Sequence, residues 1–138
     1  MEGESGSLAG WKNVSGDLNL GESVTETREK RMELAGTWHI TEMALWDEEY
    51  FNMEVRAYIR ITGEGFGDFQ FGLVSGSIDG RFVKRGRGER FEFTWDGNDE
   101  CDRASGGGWL RKKGKGMIEG EIAFHLGNRS RFCAKRAD

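Results

Sequence analysis

Carboxylates are the side chains best placed to do chemistry in this 138-residue chain, which has 24 Asp and Glu against two His and two Cys. Glu42 attracts attention first. It falls on the same alternating face as Trp38 and Ile40, where a strand would point it inward. A buried carboxylate needs a partner or a raised pKa. An inward Glu42 would therefore grip a ligand, or work with Asp96 or Asp99 as paired carboxylates in the acid/base chemistry of a hydrolase or isomerase. A β-bulge after Ile40 would instead turn Glu42 out and bring Met43 and Trp46 in. Both readings stand at this point.

The run Asp96-Gly97-Asn98-Asp99-Glu100-Cys101-Asp102 places oxygen ligands at alternate positions. It lacks the Gly at the sixth position and the Glu at the twelfth position of a calcium-binding EF-hand loop, and Gly107 stands at the twelfth. Asx turns formed by Asp96 and Asn98, shaping a lid, account for it better. His39 and His125 fall on outward faces of separate strands with no H-x-H and no nearby Cys, which does not make a zinc site. No G-x-S-x-G elbow and no G-x-x-x-x-G-K-[ST] loop occurs. Cys133 alternates outward between Arg131 and Lys135, and a lone strand cysteine is ordinarily inert. No residue is assigned as catalytic, and no metal or cofactor is assigned.

The elements that must carry these residues show period-two alternation. From Gly36 the first strand carries Trp38, Ile40, Glu42 and Ala44 on one face, and 45–53 reads as a helical turn capped by Asp47. Strands follow over 55–62 (Val55, Ala57, Ile59, Ile61 inward), 67–73 (Phe69, Phe71, Leu73), 77–84 (Ile78, Phe82) and 89–95 (Phe91, Phe93, Trp95). A long loop over 96–106 then leads to strands 107–112, which carries Trp109, 117–125 and 130–136. Eight short strands with turn signals between them, and no amphipathic helix separating them, predict an all-β, eight-stranded up-and-down antiparallel barrel.

The composition agrees. The chain has 22 Gly and no Pro, which suits a meander of tight hairpins, and its five Trp and nine Phe suit a small barrel with few inward positions. Residues 1–27 hold Gly, Ser and scattered acids without a period and read as a mobile tail, with Trp11, Leu18 and Leu20 as docking points. Residues 28–138 then form a single barrel domain, whose first residues complete a short N-terminal helix over 27–35. No apolar run of transmembrane length occurs, and the first residues lack the basic and apolar regions of a signal peptide. The expected location is cytoplasmic, with Cys101 and Cys133 as free thiols.

The Gly36-Thr37-Trp38 opening, with Arg136 in the last strand, resembles the calycins, the lipocalin and avidin-like barrels. In those families the G-x-W tryptophan packs at one barrel end beneath an Arg from the final strand. The resemblance implies that Gly36, Trp38 and Arg136 close the barrel, with a cation–π contact between the last two. Four further segments, G-T-W-x-I-T-E-M-x-L-W-D, F-Q-F-G-x-V-x-G, F-x-W-D-G-N-D-E-x-D and G-G-G-W, resemble a group of small uncharacterised bacterial proteins, which implies no activity.

In an up-and-down barrel alternate loops emerge at opposite ends. Arg81, Lys84, Arg85, Arg87, Arg90, Arg111, Lys112, Lys113, Lys115, Lys135 and Arg136 then gather at the end that holds Trp38. Asp47, Glu48, Glu49, Glu54, Asp96, Asp99, Glu100 and Asp102 gather at the other. Residues 36–138 hold 16 basic and 17 acidic residues, so the barrel is nearly neutral but electrically polar. Nucleic acid is not the expected partner, since only Phe66 lies near the basic tips and the pI is about 5.3. The leading expectation is a non-catalytic, small-molecule-binding barrel whose acidic mouth is lined by Glu42, Trp46, Trp95, Trp109 and Asp96. If large aromatics fill the interior, the loops at that end form a protein-interaction surface instead.

Overall fold

The computed structural model describes residues 33–86 and 88–137. The tail over 1–27, most of the helix over 27–35 and Arg87 lie outside the described residues; Glu33 and Leu34 are helical.

Eight strands form a closed ring in sequence order: β1 (Gly36–Met43), β2 (Tyr58–Ile61), β3 (Phe66–Phe71), β4 (Val74–Arg85), β5 (Gly88–Asp99), β6 (Asp102–Lys112), β7 (Met117–Phe124) and β8 (Arg129–Arg136). Every neighbouring pair is antiparallel, and β8 closes the ring on β1. Between β1 and β2 a short helix, α1 (Glu48–Phe51), interrupts the meander; Asp47 caps it by accepting a hydrogen bond from the Tyr50 N–H at 3.0 Å.

Alternation builds the core. Trp38, Ile40, Ile59, Ile61, Phe69, Phe71, Ile78, Phe91, Phe93, Trp95, Leu110, Ile118, Ile122 and Phe132 are all buried. Their rings stack through the interior: Phe69 lies 5.9 Å from Phe71 and 5.1 Å from Trp95, and Phe91 lies 5.7 Å from Phe93. Glycines on the inward face make room for these rings. A Cβ on Gly76 would come within 2.8 Å of the Trp95 ring, and one on Gly108 within 2.6 Å of Phe93. The barrel is thus filled by pairing large residues with none, as small barrels require.

Strand lengths depart from the sequence expectation in the middle of the chain. The expected loop over 96–106 is not a loop. β5 and β6 continue in register through Thr94↔Gly107, Asp96↔Ser105 and Asp99↔Asp102 to a two-residue turn at Glu100-Cys101. The Asp-Gly-Asn-Asp run carries turn chemistry, but pairing on both sides overrides it: Gly97 also pairs with Gly76, and a Cβ there would sit within 1.9 Å of the Ser75 carbonyl oxygen. β2 is shorter than expected, and Val55 is exposed rather than inward.

Candidate functional site

The closed end is built around Trp38. Its indole is fully buried and donates to the Leu34 carbonyl oxygen at 2.9 Å. Arg136, its direct partner across β1 and β8, holds its guanidinium carbon 4.1 Å from the ring centroid. The same guanidinium donates to the carbonyl oxygens of Ala35 at 2.9 Å and Glu33 at 2.6 Å. Gly36 has φ of +122°, and a Cβ there would lie 2.6 Å from Arg136 Nη1, so glycine at this position serves both the backbone turn and the guanidinium.

At the opposite end, the 44–57 segment folds over the opening. Trp46 packs 5.0 Å from Phe71, 6.1 Å from Phe124 and 6.2 Å from Tyr50, while Phe51 is buried beneath. Backbone bonds fasten the segment, with Gly72 N–H donating to the Phe51 carbonyl oxygen at 2.9 Å and Ala44 N–H to that of Arg131 at 2.9 Å. Two side chains that the sequence did not single out complete the attachment. The Tyr50 hydroxyl accepts from the Leu73 N–H at 3.3 Å, and the buried Ser130 hydroxyl accepts from the Leu45 N–H at 3.2 Å. Leu45, Met53, Val55 and Leu126 remain exposed at this end, among the exposed acids Asp47, Glu48, Glu49 and Glu54.

The five residues expected to line one mouth do not meet. Trp46 and Trp95 belong to one aromatic cluster, joined through Phe124, which lies 5.2 Å from Trp95. Glu42 is exposed on the outer wall, because the register shifts by one residue between Ile40 and Glu42 and buries Met43 instead. Thr41 is the extra residue of that bulge, and its hydroxyl donates to the Cys133 carbonyl oxygen at 3.3 Å. Asp96 is a strand residue facing outward and pairs with Arg103 at 3.2 Å. Trp109 also faces outward, because Leu110 beside it is the buried residue of that pair.

Carboxylate pairing fails for the same reason. β1 and β5 stand four strands apart in a ring of eight, so Glu42 and Asp96 project outward from opposite walls. Among the described residues, no group of three or more His, Cys, Asp or Glu is placed to hold a metal ion.

The outer wall has its own organisation. Arg90 lies over the Trp109 ring at 3.9 Å from its centroid, and Arg111 and Arg131 approach the same ring at 5.4 Å. Arg90 Nε is buried against the indole with no hydrogen-bond partner among the described residues. Glu119 joins Arg111 at 2.8 Å and Arg131 at 3.7 Å, and Arg85 meets Glu92 through two bonds of 2.9 Å. Arg136 is committed to Trp38, and Lys112 meets Glu33 at 3.7 Å. Arg85, Arg111 and Lys112 of the basic end are therefore neutralised locally. Arg81, Lys84, Lys113, Lys115 and Lys135 are left without an ion pair among the described residues. Cys101 and Cys133 are free thiols, and Lys113 Nζ lies 3.5 Å from Cys133 Sγ.

Two titrating groups are displaced from their ordinary values. Partial burial, and then the nearby Arg56 and Lys135, lower the pKa of His39. Burial raises that of Tyr58, assisted by Asp68, whose carboxylate accepts from the phenol at 3.2 Å and meets Arg60 Nε at 2.9 Å.

No protein-family model matches the chain, no curated protein matches it, and no solved structure matches it. Among the described residues, no helix is long and apolar enough to cross a membrane.

Proposed function

We propose that the protein is a non-catalytic binding module, a calycin-like barrel that meets a protein partner at its acidic end within the cytoplasm. The observation that carries this reading is the mouth itself. Its aromatic residues are committed to packing, as Trp46 is to Phe71, Phe124 and Tyr50, and the segment that covers them presents acids and the exposed Leu45, Met53 and Val55 outward, with Leu126 exposed in the β7–β8 turn at the same end. Exposed apolar groups among four acids that outnumber Arg56, the one basic residue of the segment, suit a partner of the opposite sign with apolar anchors, here a basic amphipathic segment. The calycin-like assignment rests on the Trp38 and Arg136 contact at the closed end. Free thiols agree with a reducing compartment.

A titration followed by amide NMR tests the reading, using a Lys/Leu amphipathic helical peptide as probe and a scrambled peptide of the same composition as control. The expected result is saturable shifts over 44–57 and 125–128, abolished by the double charge reversal Glu48→Lys with Glu49→Lys. Equal binding of the scrambled peptide, or shifts elsewhere, refutes it.

A small-molecule reading keeps one observation in its favour: Trp46 and Trp95 lie in one aromatic cluster directly under the covering segment. Such a ligand enters only by displacing α1. Native mass spectrometry of protein purified from its own host decides it, since a co-purifying mass supports the pocket and a bare chain removes it.

A further inference from the structure

One recess lies on the outside of the barrel and runs along the wall to the β7–β8 turn. It is a trough of about 650 Å³ on the outer wall of β5, β6 and β7. Register explains its shape. Thr94, Gly107 and Ala123 form one outward row across the three strands and supply a floor with little or no side chain. Trp109 and Glu121, paired across β6 and β7, form the next row and the wall on one side. Ser105 and His125 form the opposite wall, tied by the His125 N–H bond to the Ser105 carbonyl oxygen at 2.7 Å. With strand spacing of about 4.8 Å and rise of about 3.3 Å per residue, the floor spans about 10 Å across the strands and about 13 Å between walls. That is room for one or two six-membered rings.

Gly107 is the informative residue. Its neighbours in the Gly106-Gly107-Gly108 run have packing reasons: a Cβ on Gly106 would meet the Ala123 carbonyl oxygen at 1.8 Å, and one on Gly108 the Glu121 carbonyl oxygen at 2.4 Å. A Cβ on Gly107 would meet only the Phe93 carbonyl oxygen, at 3.2 Å, and would otherwise stand in the trough. The core does not require Gly107. The trough does.

Charge narrows the ligand. Three guanidinium groups already surround the Trp109 ring, so a cationic ligand meets three like charges there. Glu121, half-buried, and Arg129, its ion-pair partner, both line the trough and offset one another, so that wall offers an anion no net charge. Glu121 Oε1 is held by Arg129 at 3.4 Å, while Oε2, the Ser105 hydroxyl and the His125 ring have no protein partner among the described residues. An aromatic wall beside a few convergent donors and acceptors, in a recess of this size, is the make-up of a small-molecule site. From the glycine floor, the aromatic wall and these free polar groups, we infer that the trough binds a neutral saccharide ring, with its C–H face on Trp109 and its hydroxyls on Glu121, Ser105 and His125. The trough reaches the β7–β8 turn at the acidic end through His125 and Leu126, but its glycine floor and its Trp109 wall lie outside the 44–57 segment, so the inference does not depend on the protein-partner reading.

The test is an amide and indole NMR titration of the full chain with the methyl glycosides of glucose, galactose, mannose and N-acetylglucosamine. The expected result is saturable shifts of the Gly107 amide and the Trp109 indole N–H by at least one of the four, in the millimolar range or tighter. Gly107→Val fills the trough from β6 and is expected to weaken that binding by about tenfold or more at unchanged thermal stability. If that variant fails to fold, Ala123→Tyr fills the trough from β7 and serves the same purpose. Absence of saturable shifts with all four sugars at about 50 mM overturns the inference. So does tighter binding of tetramethylammonium at the same resonances, or wild-type affinity in a folded trough-filling variant. Shifts confined to 44–57 overturn it as well, while leaving the reading of the acidic end to its own experiment.

Discussion

Adjacent glycines on opposite faces of β6 offer a stringent check of the register. Gly108 points inward, where a Cβ would approach the Glu121 carbonyl oxygen to 2.4 Å and the Phe93 ring to 2.6 Å. The first obstacle is backbone and the second a packed core ring, so neither yields cheaply. Overpacking of this kind costs about 1–3 kcal/mol, and the upper part of that range applies here. Against it, alanine in a strand is favoured over glycine by about 0.5–1 kcal/mol. Gly108→Ala is therefore expected to destabilise by about 2 kcal/mol. For a domain of this size that lowers the melting temperature by about 8–16 °C. Gly107→Ala meets only one tight contact, at 3.2 Å, and the gain in strand preference offsets it, so its effect is expected within about 0.5 kcal/mol of zero. Urea unfolding with unchanged slope measures both. Equal losses, or a larger loss at Gly107, refute the inward and outward assignment, because a one-residue slip exchanges the two faces.

Other outcomes follow from the same geometry. Arg136→Ala removes the cation over Trp38 and two charge-assisted bonds and is expected to cost about 2 kcal/mol. Arg136→Lys, which keeps the charge but not the planar fork, falls between Ala and wild type, and urea unfolding equal to wild type for the Ala variant contradicts the closure. In the folded protein Tyr58 titrates above the ordinary 10.0; Asp68→Asn is expected to bring its midpoint down, followed through its ring carbon resonances, and an unmoved midpoint refutes the role of Asp68. His39 ionises below the ordinary 6.5 when folded, so between the two values the unfolded chain binds more protons and stability falls as pH drops. His39→Gln is expected to flatten that part of the stability profile, and an identical slope in wild type and variant removes His39 as its source.

The architecture was legible in the residues, since alternation such as Phe91, Phe93, Trp95 can bury only one face of a strand and short hairpins can join only antiparallel neighbours. It also placed Trp38 beside Arg136, because the first and last strands of such a barrel must meet. The Asp47 cap was legible for the same local reason: a side chain three residues from the N–H it serves needs no distant partner. The sites came from strand pairing across the barrel. Alternation tracks parity, and one extra residue at Thr41 reverses it for Glu42 and Met43 with no local mark in the sequence. Trp109 reads as core by type, yet its face follows from the pairing of β6 with β5 and β7. The Asp96 run reads as a loop because turn chemistry is local, whereas the pairing that straightens it comes from β4, 21 and 23 residues earlier in the chain at Gly97↔Gly76 and Asn98↔Ser75, too far in sequence for local preference to register. Glycine content suggested turns; many of those glycines lie within strands instead, where the neighbouring aromatic rings set how much room is left. A trough on the outer wall is a property of three strands side by side, and no single segment announces it.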